Sequence, residues 1–153
     1  VSRAVRVALV DYGAGNLTSV AKGLRAAGGD VRFALGARDL ERADAIVLPG
    51  VGHFAATAPL DEAWRDAIRA AIARHMPFLG ICLGLQWLFE GSDEAPDLPG
   101  LGLLPGRCAA ITGDVKVPHV GWNTLDRTQQ AHPPRLLDGI ASGSYAYFTH
   151  SFA

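Results

Sequence analysis

Apolar residues fall along the chain in two patterns, short unbroken runs and runs at helical spacing. Val5 to Val10 is nearly continuous, as in a strand covered on both faces, and Asp11-Tyr12-Gly13-Ala14-Gly15-Asn16 follows as its loop. Leu17, Val20 and Leu24 then mark one helical face up to Gly28-Gly29. Val31 to Leu35 and Ala45 to Leu48 read as further strands, the second ending in Pro49-Gly50-Val51-Gly52-His53-Phe54. Asp61 is placed to cap a helix that holds Trp64, Ile68 and Ile72 on one face and puts Arg65, Asp66, Arg69 and Arg74 elsewhere. PFLGI, from Pro77, is the next apolar run, and LGLQWLFE after Cys82 returns to helical spacing.

Strands alternating with helices predict an α/β fold: a mainly parallel open sheet with helices on both faces. Such sheets bind ligands beyond the carboxyl ends of their strands, so the DYGAGN, PGVG and Cys82 loops are expected to share one edge. After Gly91 the pattern changes. SDEAPDLPG reads as a polar loop, LGLLPG, AAIT, VKVPHVGWNTL and YAYFTHSF as short strands, and RLLDG as a brief helical segment. The second half is expected to extend the same sheet.

A length of 153 residues predicts one domain, and 49% hydrophobic with 19% charged residues describes an ordinary globular protein. The formal net charge of -1 argues against a nucleic-acid surface, and no stretch is apolar for long enough to cross a membrane. VSRAVRVALVDYG enters a strand directly, without the layout of a secretory leader, and the two cysteines, Cys82 and Cys108, form no CxxC or metal-spaced cluster. A reduced cytoplasmic setting is expected, with no metal.

The chemistry centres on Gly80-Ile81-Cys82-Leu83-Gly84. Its small-x-nucleophile-x-small form is that of a nucleophile elbow with Cys in place of Ser. Glycines on both sides let strand and helix approach closely, and strain at the turn exposes the sulfur. The first amides of the following helix lack intrahelical acceptors, which makes Leu83 N–H the obvious oxyanion donor. A free thiol of pKa about 8.5 is only a few per cent ionised at neutral pH, so a base or cation is expected elsewhere. The alternative reading is a buried Cys in a tight strand-to-helix connection.

Two other loops carry alternatives. Glycines on both sides of Val51 allow its peptide to rotate and offer a second oxyanion N–H, although a plain turn is the alternative. DYGAGN suggests dinucleotide binding, but the third glycine of GxGxxG would stand at position 18, which is Thr18, and that reading fails. What remains there is a tight turn or a surface at which Asn16 faces a partner or ligand.

Taken together, VDYGAGNLTSV from Val10, IVLPGVGHF from Ile46, FLGICLGLQWLFEGS from Phe78, LGLLPG from Leu101, KVPHVGWN from Lys116 and YFTHSF from Tyr147 closely resemble one family. It is the glutaminase subunit of imidazole glycerol phosphate synthase, a class I glutamine amidotransferase of histidine biosynthesis with a flavodoxin-like sheet. The resemblance implies glutamine hydrolysis, with ammonia passed to a barrel-shaped cyclase subunit in a heterodimer, and no cofactor. It implies that Cys82 attacks the amide carbon, that Leu83 N–H and Gly50-Val51-Gly52 hold the oxyanion, and that Gln86 helps hold glutamine. It places Asn16, Trp122, Asn123 and Tyr147 at or near the cyclase interface.

The pattern departs from the family at one point. The family's catalytic His and Glu lie in a His-Pro-Glu motif C-terminal to YFTHSF, and this chain ends at Ala153 before it. His53, His75, His119, His132 and His150 match other positions and are read as structural or solvated. The expectation is a single amidotransferase domain over residues 1–153, incomplete at the C-terminus and poorly active as written. Two alternatives stand beside it: an inactive short form that binds and regulates the cyclase, and a different Cys-elbow hydrolase using one of these histidines.

Overall fold

The computed structural model describes residues 3–126 and 135–153, and the backbone falls into two units, Val1–Ala109 and Ala110–Ala153. In the first, β1 (Arg6–Val10), β2 (Asp30–Ala34), β3 (Ala45–Leu48) and β4 (Phe78–Gly80) pair in the order β2-β1-β3-β4. Every pairing in this sheet is parallel, with Val10 opposite Ala34, Leu9 opposite Val47 and Leu48 opposite Gly80.

The unbroken apolar runs follow from the cores on either side of the sheet. Successive strand residues face opposite ways. Val7, Leu9 and Val47 pack with Ala21 of α1 (Leu17–Ala26), whereas Ala8, Val10, Ile46 and Leu48 pack with Trp64, Ile68 and Ala71 of α2 (Glu62–Ala73). Helices therefore cover both faces, as the sequence predicts. Ile68 is fully buried, and a side chain of that size contributes about 1.5–3 kcal/mol by leaving water. Asp61 caps α2, accepting Trp64 N–H at 3.2 Å, and Asn16 caps α1 by accepting Ser19 N–H at 3.2 Å. A short 3₁₀ segment, Ala37–Arg42, is held by Asp39, whose carboxylate accepts the N–H groups of Leu35 and Gly36.

Four expectations are corrected. The helix after Cys82, α3, is only Leu83–Gln86, because the carbonyls of Trp87, Leu88 and Phe89 accept N–H groups of residues 101–104 instead of continuing the helix. LGLLPG is accordingly an irregular strap rather than a strand. SDEAPDLPG is not a loop: β5 (Gly91–Ser92) and β6 (Ala95–Pro99) form a small antiparallel hairpin.

Nor does the second half extend the parallel sheet. The second unit is built on β7 (His119–Leu125) and β8 (Ser144–His150), a separate antiparallel pair in register from His119 opposite His150 to Leu125 opposite Ser144. Val120, Trp122 and Thr124 share one face with Thr149, Tyr147 and Tyr145, and its large members are exposed. On the other face His119 stacks on Phe148 and its Nδ1 lies 2.9 Å from His150 Nε2.

Candidate active site

At the carboxyl end of β4 the backbone turns through Cys82 at φ 55° and ψ -113°, in the region that L-residues other than glycine rarely occupy. The sulfur-bearing residue is exposed while Leu83 and Gly84 beside it are buried. The flanking glycines are there for space. A Cβ on Gly80 would stand 2.7 Å from Gly84 O and 2.8 Å from Leu85 Cα, and one on Gly84 would overlap the Leu48 carbonyl. Strand β3, strand β4 and the turn are thus in backbone contact.

The amides of this turn are distributed unevenly. Gly84 N–H donates to Ile81 C=O, and Leu85 and Gln86 N–H both donate to Cys82 C=O. The N–H groups of Cys82 and Leu83 are not engaged by these bonds, and Leu83 N–H is the first amide of α3. Gln86 lies one helical turn beyond Cys82, on the same side of α3, and is partly exposed.

The PGVG loop lies against the elbow. Gly50 is buried, and a Cβ on it would stand 2.7 Å from Leu83 Cβ, 3.2 Å from Gly84 N and on top of the Tyr12 hydroxyl. Gly52 has φ +96°, which only glycine adopts without strain, and Val51 between them is 55% exposed. A Cβ on Gly15 would stand 3.5 Å from Gly50 N, so DYGAGN and PGVG meet at the same edge, as predicted.

Three residues have roles at this site that the sequence reading does not assign. Glu94, in the β5–β6 turn, accepts Phe54 N–H at 2.7 Å and fixes the far end of the PGVG loop. Tyr12 is 7% exposed beneath that loop, and burial, with the charge of Cys82 second, pushes its pKa up to about 12. Arg65, expected on the polar side of α2, is buried. It donates to the carbonyls of Pro99, at 2.7 Å, and Gly100, and its guanidinium lies 5.3 Å from the buried Trp87 ring. Arg69 donates to Leu101 O at 2.8 Å, so α2 holds the strap that holds the end of the elbow helix.

Cys108 is buried, and its thiol donates to the Gln86 carbonyl at 3.9 Å. Burial pushes its pKa up. His53 caps the 3₁₀ segment Phe54–Thr57 through Nδ1, which accepts Ala55 N–H at 3.1 Å. His75 ends α2 with φ 60° and His132 lies outside the described residues. No cluster of three or more His, Cys, Asp or Glu side chains that could hold a metal occurs among the described residues.

Of the four predicted interface residues, one lies in the first unit and three lie on the β7–β8 hairpin of the second. Asn16 is exposed at its cap. Trp122, 70% exposed, meets Tyr147 edge-on at 5.7 Å, whereas Asn123 faces the other side of the hairpin and its Oδ1 accepts Thr124 N–H at 2.9 Å. No helix among the described residues is long and apolar enough to cross a membrane.

A cysteine elbow at the carboxyl edge of a parallel sheet, with a glycine loop packed on its first turn, is the arrangement of a class I glutamine amidotransferase. The family description "Glutamine amidotransferase class-I" matches residues 8–153, and the chain belongs to that family. Within it, several similar curated proteins carry the name "Imidazole glycerol phosphate synthase subunit HisH". The match to that of a Synechococcus strain is 46% identical over 98% of this chain and 70% of the relative. For Natronomonas pharaonis it is 45% over 98% and 70%, and for Methanothermobacter thermautotrophicus 44% over 95% and 72%. A solved structure described as a glutamine amidotransferase covers 93% of this chain and 70% of its own, with a TM-score of 0.67 at 19% identity, a likeness of fold.

Proposed function

We propose that the chain is the glutaminase subunit of imidazole glycerol phosphate synthase, hydrolysing glutamine to glutamate and ammonia for a cyclase subunit in a cytoplasmic heterodimer. The observation that carries the chemistry is the strained, exposed Cys82 with the Gly50 loop packed on its first helical turn. The shared name of the HisH relatives supports the pathway assignment and lends nothing to a purely regulatory short form.

In this reading the Cys82 thiolate adds to the amide carbon of glutamine, and the carbonyl oxygen becomes an oxyanion between Leu83 N–H and Val51 N–H. Gly50 and Gly52 let the Val51 peptide turn, and Gln86 holds the substrate beside the sulfur. Collapse of the tetrahedral species breaks the C–N bond, releases ammonia once the nitrogen is protonated, and leaves a γ-glutamyl thioester. Water then cleaves the thioester to glutamate and free thiol. The base that takes the thiol proton and passes it to nitrogen is the family's His, oriented by its Glu; the His-Pro-Glu motif is not among these 153 residues. Among the residues present, His53 is engaged as a helix cap.

Loss of one oxyanion donor costs about 10²–10³ in kcat, so cyclase-induced orientation of the Val51 peptide is large enough to act as a switch. Trp122, Tyr147, Asn16 and Asn123 are proposed as cyclase contacts, Trp122 and Tyr147 through their exposed face. The test is the full-length subunit mixed with its cyclase and glutamine. Ammonia release and a γ-glutamyl adduct on Cys82, both abolished by Cys82→Ala, are expected. Silence of that complex would sink the assignment. Unchanged cyclase affinity and ammonia transfer in Trp122→Ala would remove Trp122 from the interface.

A further inference from the structure

Tyr12 carries a hydroxyl that has no hydrogen-bond partner among the described residues, on a side chain only 7% exposed. A buried donor left unsatisfied is a cost that a phenylalanine of the same shape would avoid. Its position is specific. The hydroxyl occupies the space that a Gly50 side chain would fill, next to Leu83 Cβ and Gly84 N, on the inner side of a loop whose Val51 faces outward.

A peptide unit is planar, and its N–H and C=O point in opposite directions. Turning Val51 N–H out toward an oxyanion above Cys82 therefore turns the Gly50 carbonyl inward, where a buried acceptor needs a donor. We infer that the Tyr12 hydroxyl is that donor: it bonds the Gly50 carbonyl when the Gly50–Val51 peptide presents its N–H to the reacting glutamine, and holds the oxyanion loop in its working orientation. Tyr12 is a positioning residue, since it acts through the loop and does not touch substrate. With its pKa pushed up to about 12 it keeps its proton, and so its role as donor, throughout the neutral range. The inference rests on the glutaminase reading proposed above.

The test is Tyr12→Phe in the complex of full-length subunit and cyclase, reading kcat and KM for glutamine beside the melting temperature of the variant. The expected result is a kcat lower by at least about tenfold with KM within about twofold, because only transition-state binding is lost. The melting temperature is expected to stay level or rise. An unchanged kcat overturns the inference and leaves the glutaminase reading standing. A fall in kcat that tracks a fall in melting temperature overturns it equally, since the hydroxyl would then be structural. A wild-type complex that does not hydrolyse glutamine removes the reading beneath the inference, and the inference with it.

Discussion

The Glu94 carboxylate accepts the Phe54 N–H at 2.7 Å, across 40 positions of sequence. This bond pins the PGVG loop at its downstream end to the β5–β6 hairpin, while Gly50 at the upstream end is packed on Leu83. Glu94→Ala should lower stability to urea by about 1.5–3 kcal/mol, the worth of a hydrogen bond to a charged acceptor. It should also lower kcat/KM for glutamine in the cyclase complex at least about tenfold, because the proposed oxyanion donor on this loop loses its frame. Wild-type kcat/KM in a folded Glu94→Ala variant would show that the loop is held by other means.

Gly84→Ala places a methyl group on the Leu48 carbonyl, and neither backbone can yield without moving β3 or the elbow. Overpacking of this kind costs about 1–3 kcal/mol where side chains can adjust, and backbone against backbone lies at or beyond the upper end. Denaturant unfolding should show a loss of about 3 kcal/mol or an unfolded product. Gly23→Ala in α1 is the control, since nothing lies within 4 Å of its Cβ position and helix propensity favours the change by about 1 kcal/mol. Equal stabilities for the two variants would contradict the packing described.

The two thiols should separate in a labelling experiment. Cys82 is exposed, whereas Cys108 is buried, bonded to the Gln86 carbonyl and pushed to a higher pKa by burial. With iodoacetamide at pH 8, in the native protein, Cys82 should be alkylated at least about a hundredfold faster, since Cys108 needs local opening before it reacts. Peptide mass spectrometry reads each site separately. Comparable rates at the two cysteines would mean that the strand-like segment around Cys108 opens readily.

Asp44 accepts hydrogen bonds from Arg6 Nε, Arg6 Nη2, Arg6 N–H and Arg3 Nη2, all between 2.8 and 3.0 Å. Its hydrogen bonds to the Arg6 guanidinium, then to the Arg6 amide, hold the carboxyl well below the usual carboxylate range. A depressed folded-state pKa contributes stability that is present above the unfolded value, near pH 4, and is lost as pH falls through the folded value. Wild type should therefore melt higher than Asp44→Asn at pH 6, and the difference should shrink steadily below about pH 4. A difference independent of pH between 6 and 2 would show that the pair carries no such linkage.

The parallel sheet and the elbow were legible because their signals are local. Val5 to Val10 and Ala45 to Leu48 are apolar at every step or nearly so, and Cys82 sits between glycines whose absent side chains make room for the Leu48 carbonyl and the Leu85 backbone. What escaped depends on distant partners. The spacing of LGLQWLFE is helical, yet the carbonyls of Trp87, Leu88 and Phe89 are taken by the strap at residues 101–104. SDEAPDLPG has no apolar alternation, and its hairpin pairs Gly91 with Pro99 across a bulge. Arg65 looks like a surface charge until the carbonyls of Pro99 and Gly100, 34 and 35 positions away, are brought to it. Tyr12 and Glu94 are both ordinary loop residues in one dimension. Their meaning appears only where Gly50 and Phe54 reach them.

The backbone contact between Gly84 and Leu48 also bears on the speed of the activation proposed above. It joins the end of β3 to the elbow, so the two must travel together, and Glu94 holds Phe54 on the other side. Freedom is left to the short stretch between Gly50 and His53, with Gly52 already at φ +96°. Rotation of so short a segment belongs to the nanosecond-to-microsecond range, roughly, rather than to the slower motions of whole domains. A partner that acts on this loop would be answered within its own docking time, and any lag before ammonia release would have to be a lag in assembly.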